Sequence, residues 1–155
     1  LRIADIGCGK GAYLKNLIRK FPQCQYAAVD LSETVMGYIG NGEIRIKQGT
    51  LTNIPYEDNT FDFVYTCEAL EHAVDIENAV REMARVAKPG GMIAVIDKNK
   101  DMLGYFEIGE WEQWFDEQEL SGIMRKYCGK VSVVKNVSYE EPANGLFYAW
   151  LGRVE

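Results

Sequence analysis

Three glycines in five residues, within Asp5-Ile6-Gly7-Cys8-Gly9-Lys10-Gly11, sit between a short β-like run, RIADI at residues 2–6, and an apolar pattern of helical period. The helical pattern places Leu14, Leu17, Ile18 and Phe21 on one face. A strand, a glycine loop and a helix in that order put the loop at the carboxyl end of the strand, the edge where open α/β sheets bind ligands. Glycine allows the sharp turn and lets a ligand reach backbone N–H groups that a side chain would screen. The N-terminus of the following helix favours a carboxylate there.

The rest of the chain repeats the alternation. Pro22 closes the first helix, QYAAVD from Gln25 to Asp30 is a second strand, and Ser32 is placed to cap a short helix fraying near Gly37. EIRIKQ from Glu43 and FDFVYT from Phe61 to Thr66 read as strands three and four. A helix predicted over Asp75 to Lys88 carries Ile76, Ala79, Val80, Met83 and Val86 on one face and is stopped by Pro89-Gly90-Gly91. MIAVID, Met92 to Asp97, is the fifth strand. Asp116 and Glu119 have capping-box spacing ahead of a helix bearing Leu120, Ile123, Met124 and Tyr127, ended by Gly129. Two closing strands are expected near 131–139 and 145–153; with no helix between them they pair antiparallel. The predicted fold is α/β: a Rossmann-like three-layer sandwich with a seven-stranded, mostly parallel sheet and an antiparallel last strand. Residues 1–155 form one domain, and the stretch from Lys98 to Phe115 is the longest loop, a common place for function.

Charge and cysteines narrow the function classes. A formal charge of −6 opposes general nucleic-acid binding, which relies on clustered Lys and Arg. No apolar run approaches the ~20 residues of a membrane span and no leader pattern is present, so a cytoplasmic location and no membrane partner are expected. Cys8, Cys24, Cys67 and Cys128 lack zinc-site spacing and read as reduced, buried thiols. No carboxylate cluster is recognisable by spacing, and no metal is expected. The chain opens on Leu1 inside a strand pattern, which suggests part of a longer protein with further domains.

The identity of the loop's ligand turns on charge. G-x-G-x-G differs from the G-x-G-x-x-G of nicotinamide enzymes. Asp5, two residues before the glycines, repels a pyrophosphate but suits a ligand carrying ammonium and sulfonium groups. Asp30 at the end of the second strand suits ribose hydroxyls in either class.

The segments IADIGCGKGAYLKNL, YAAVDLS, LTNIPYEDNTFDFVYTCEALEH and REMARVAKPGGMIAVID, in this order from Leu1 to about Asp97, resemble class I S-adenosylmethionine-dependent methyltransferases. The likeness is to their type 11, ubiquinone- and menaquinone-biosynthesis-like group. The resemblance implies S-adenosylmethionine as cofactor and S-adenosylhomocysteine as product. It implies that Gly7, Cys8, Gly9 and Gly11 lie under the methionine part, with Asp5 near its amino group. Asp30 would then hold the ribose and Leu31 flank the adenine. Thr50 and Leu51 stand where the family commonly has an adenine-binding Asp, and Cys67 and Glu68 border the methionine and the transferred methyl. Tyr13 is placed to line the same pocket. The family usually carries helices before the first strand, and those are expected to precede this segment.

Methyl transfer needs alignment more than a nucleophile on the protein. His72, the single histidine, is the candidate base if the acceptor is a hydroxyl, with a pocket-shaping role as the competing reading. Glu68 and Glu71 are equally open to a role in stabilising a helix start. Tyr105, Phe106, Trp111, Trp114 and Phe115, with Glu107 and Glu110, are placed to form an acceptor wall; alternatively Trp111 and Trp114 form one helical face packed on the sheet. The function expected is methyl transfer to a small-molecule acceptor, first at oxygen, with nitrogen and carbon open. The alternatives are a non-catalytic S-adenosylmethionine-binding or scaffold domain and, last, an NAD-dependent oxidoreductase.

Overall fold

The computed structural model describes residues 1–33, 37, 44–138 and 144–155. The strands are β1 (Arg2–Ile6), β2 (Gln25–Asp30), β3 (Ile44–Gln48), β4 (Phe61–Cys67), β5 (Ala87–Lys98), β6 (Cys128–Val137) and β7 (Phe147–Val154). The helices are α1 (Ala12–Lys20), α2 (Ile76–Val86) and α3 (Glu117–Met124), with short 3-10 turns at Leu70–His72 and Lys100–Met102. All seven strands form one sheet in the order β3-β2-β1-β4-β5-β7-β6. The pairs from β3 to β5 are parallel, whereas β7 pairs antiparallel with both β5 and β6. This is the expected Rossmann-like three-layer sandwich, parallel except where β7 pairs. β1 has β2 on one side and β4 on the other, so the chain winds outward in both directions from it and a crevice opens at their carboxyl ends.

Side chains alternate across each strand, and the two faces bury separate cores. Ala4, Ile6, Val29, Val64 and Ile93 pack with Val80, Met83, Leu120 and Met124 of α2 and α3, while Ile3, Tyr26, Ala28 and Tyr65 pack on Leu14 of α1. The Tyr26 hydroxyl reaches across to donate to the carbonyls of Leu17 and Phe21, satisfying the end of α1. Asp116 caps α3 through the N–H groups of Gln118 and Glu119, as the spacing predicts, and Asp75 caps α2 through the Asn78 N–H.

Three boundaries depart from the sequence reading. α2 ends at Val86, because Ala87 is already extended (φ −78°, ψ 144°) and pairs with Phe61. Pro89-Gly90-Gly91 is therefore part of β5, at the irregularity between Phe61 and Phe63, where a Cβ on Gly91 would meet the Asp62 carbonyl at 3.0 Å. α3 stops at Met124, before Tyr127. Trp111 and Trp114 share no helical face: Trp111 is 90% exposed with φ 66°, and Trp114 is buried. The helix expected after Ser32 lies mostly outside the described residues, as does residue 139 of the expected sixth strand. Among the described residues no helix is long and apolar enough to cross a membrane.

Candidate active site

The glycine loop folds back over β2: the N–H groups of Gly7 and Cys8 both donate to the Val29 carbonyl at 2.7 and 3.0 Å. Gly7, Gly9 and Gly11 all have positive φ (75°, 50° and 71°), the left-handed region that costs other residues energy. Gly7 is also fixed sterically, since a Cβ there would lie 2.5 Å from that of Ala69. Gly11 is the N-cap of α1 and brings no capping side chain. Asp30 organises the loop from the next strand, accepting from Gly9 N–H at 2.9 Å on one carboxylate oxygen and from Ser32 N–H at 2.9 Å on the other. Each oxygen retains a lone pair for a further donor.

These residues open on a cavity of about 450 Å³ at the carboxyl ends of β1, β2 and β4. Of the residues singled out from sequence, it gathers Gly7, Gly9, Asp30, Leu31, Thr50, Leu51, Glu68 and His72. Asp5, Cys8, Gly11, Tyr13 and Cys67 do not line it. Gly49, Thr52, Ala69, Ala73 and Val74 do line it and were not singled out. Ala69 carried no chemical signal in the sequence; its smallness matters only because Gly7 faces it. Thr50 and Asn53 close a tight turn by mutual backbone hydrogen bonds, and the Thr50 and Thr52 hydroxyls lie 3.3 Å apart at the cavity wall.

Asp5 lies beneath the loop, buried, accepting from the Tyr65 hydroxyl at 2.8 Å. Burial pushes its carboxyl up to about 7, the Tyr65 hydrogen bond opposes the rise, and the charge of Asp30 adds to it. Burial, then the charges of Asp5 and Asp30, push the Cys8 thiol up to about 12. Cys8 is accordingly a poor nucleophile near neutral pH, and none of the four cysteines forms a disulfide.

The opposite rim is the segment after β4. Glu68 takes φ 50°, and the imidazole Nε2 of half-exposed His72 lies 3.4 Å from Glu71 Oε1. Glu71 is buried, which raises its carboxyl against the opposing pull of Lys98. Asp97 accepts the backbone N–H of Glu71 and of Lys98, and burial followed by the Glu71 charge holds it well above the usual carboxylate range. The aromatic loop divides: Trp114 and Phe115 are core residues, Phe115 packing edge-on against Trp150, while Tyr105 and Trp111 are exposed and Phe106 is at the surface. Glu107 and Glu110 are exposed, whereas Glu112 accepts from Lys98, the Gly109 N–H and the Trp114 indole N–H.

Residues 4–95 match the family model described as a methyltransferase domain. The chain belongs to the class I S-adenosylmethionine-dependent methyltransferases. S-Adenosylmethionine is the cofactor of this methyltransferase domain, and the oxidoreductase alternative falls. The cavity fits that cofactor. Gly7, Gly9 and Gly49 leave backbone open to a ligand, the Asp30 carboxylate faces in with acceptor capacity to spare, and Ala69 and Ala73 keep one wall small. The domain is 27% identical to the sterol 24-C-methyltransferase of Schizosaccharomyces pombe, over 89% of this chain and 39% of that protein. It is 32% identical to the demethylmenaquinone methyltransferase of Desulfitobacterium hafniense, over 72% of this chain and 47% of that one. Its fold matches, at TM-score 0.80 and 22% identity, a Thermotoga maritima structure described as an S-adenosylmethionine-dependent methyltransferase and possible histamine N-methyltransferase, covering 99% of this chain and 82% of that one. The chain spans less than half the length of these two curated relatives.

Proposed function

We propose that the domain transfers the methyl group of S-adenosylmethionine to an apolar small molecule held between the Glu68–Val74 rim and the loop after β5. The observation that carries this reading is the cavity itself, with the glycine loop and Asp30 at one end and His72 and the 95%-exposed Val74 at the other. In the reaction the S–CH₃ bond breaks as a bond to the acceptor forms, the sulfonium leaving as a neutral thioether. The side chains then have only to hold the two partners in line and keep water out. Asp30 holds the ribose, Leu31 and the Thr50–Thr52 turn flank the adenine, and Asp5 acts from below as a buried charge near the amino group. Gly11, Cys8 and Tyr13 shape the loop, and Cys67 and Glu68 border the methyl. Oxygen is the first acceptor atom proposed, with His72 receiving its proton as Glu71 orients the ring. The names of the two curated relatives, a sterol and a demethylmenaquinone methyltransferase, support an apolar acceptor.

Calorimetric titration with S-adenosylmethionine, S-adenosylhomocysteine and NADH tests the reading. The first two bind saturably, NADH does not, and Asp30→Ala weakens both by roughly tenfold or more. Absence of binding at millimolar cofactor, or unchanged affinity in the variant, would overturn it. A domain that binds cofactor but turns over none of a panel of quinols, phenols, amines and sterols is the non-catalytic alternative.

A further inference from the structure

One cation at the carboxyl end of β5 meets three acids from two separate segments. The Lys98 ammonium lies 3.0 Å from Glu71, 3.2 Å from Glu112 and 3.4 Å from Glu68, with the lysine side chain only 13% exposed. Glu68 and Glu71 belong to the cavity rim, and Glu112 belongs to the loop after β5. Glu112 in turn accepts from the Trp114 indole N–H at 3.2 Å and the Gly109 backbone N–H at 3.1 Å. The same two segments are stitched by Gln113, whose backbone N–H donates to the Glu71 carbonyl and whose side chain donates to the Ala73 carbonyl.

We infer that Lys98 is a positioning residue that locks the Gly109–Phe115 loop onto the Glu68–His72 rim and so builds the acceptor side of the cavity. Without the ammonium, three carboxylates would converge beside buried Asp97 with no counter-charge within the cluster, and such acids either repel or take up protons. In both cases Glu112 loses its reason to face the rim. Glu71, the neighbour of the His72 ring, loses the partner that fixes its own rotamer. Burial by itself would lower the Lys98 ammonium, but its hydrogen bond to Glu71 and the surrounding carboxylates hold it above the ordinary lysine value, so the cation is present throughout the neutral range. The consequence for methyl transfer rests on the cofactor reading of the cavity; the mechanical coupling of loop to rim does not.

The test compares Lys98→Met, Lys98→Arg and Glu112→Gln with the parent, by amide hydrogen exchange and by fluorine NMR of protein labelled with 5-fluorotryptophan. Its three indoles, Trp111, Trp114 and Trp150, are assigned by single Trp→Phe changes. Lys98→Met is expected to speed exchange roughly tenfold or more at residues 69–73 and 109–115 and to move the Trp114 resonance, with β1, β2 and Trp150 unchanged. Lys98→Arg restores both readouts, and Glu112→Gln, which leaves no unpaired cation and guards against a variant that does not fold, frees 109–115 alone. Unchanged exchange in the two segments, a uniform rise across the sheet, or an arginine variant indistinguishable from methionine would overturn the inference. A parallel titration with S-adenosylhomocysteine separates the two readings: failure to bind the parent protein discards the cofactor site while leaving the exchange result intact.

Discussion

At Gly7 a single added methyl group would meet the Cβ of Ala69 at 2.5 Å while the backbone sits at φ 75°, so two independent penalties fall on one atom. Gly7→Ala is expected to cost at least about 2 kcal/mol of stability and to abolish cofactor binding, read by urea denaturation and calorimetry. Gly9 has the same backbone sign, so a side chain there is strained as well, but open space where its Cβ would be means that no clash adds to the strain. Asp5 carries a different consequence. Its carboxyl is raised from 3.8 to about 7, so between those values the unfolded chain has released a proton that the folded protein keeps. Folding stability therefore falls as pH rises from about 4 to about 7 and levels above that. Glu71 and Asp97, raised in the same direction, add to the slope. In urea midpoints measured across pH 5–8, Asp5→Asn should flatten the dependence in part and be more stable than the parent at pH 8. A variant with the full parental slope would show that Asp5 ionises normally.

Among the elements, the connection from β3 to β4 is held by one guanidinium on α2. Arg85 donates to the carbonyls of Ile54 and Tyr56 and to the carboxylates of Glu82 and Asp58, all at 2.7–2.9 Å, and Glu82 accepts from the Ile54 N–H. This clip steadies the turn that presents Thr50 and Leu51 to the cavity. Arg85→Met should cost about 2 kcal/mol, discounted for partial exposure, and weaken S-adenosylmethionine severalfold by calorimetry, while retaining the melting cooperativity of the parent. The strands and the cap of α3 were legible because apolar runs and Asp116 each act locally. The end of α2 was not. Pro-Gly-Gly signals a helix stop by local rules, but Ala87 is drawn into the sheet by Phe61, a partner far away in the chain. The tryptophan pair failed for the same reason. Spacing of three suggests a helical face, whereas Trp114 is fixed by Glu112 and the core, and Trp111 by a left-handed turn. Of the residues that line the cavity, Gly7, Gly9 and Asp30 were legible because a glycine turn at the end of one strand and an acid at the end of the next leave a local pattern. Lys98 and Glu112 were not, since a cation shared by acids of two distant segments leaves no periodic trace.

For the molecule as a whole, the parallel order of β3, β2, β1, β4 and β5 brings five strand ends to one edge, and every residue lining the cavity comes from that edge. The other half is built differently. β7 inserts between β5 and β6, matching seven residues of β5 from Met92 to Lys98, and buries Trp150 against Phe115. β5 is thus flanked by β4, which precedes the loop in the chain, and by β7, which follows it. Lys98 and Phe115 mark the two feet of that loop, joined by the Phe115 N–H donating to the Lys98 carbonyl and the Lys100 N–H donating to the Phe115 carbonyl, and the family match ends at residue 95, just short of the first foot. Closely spaced feet on a finished scaffold are the condition for swapping one insert for another, so the segment between them is a natural cassette that a descendant or an engineer could exchange while inheriting the glycine-loop cavity unchanged.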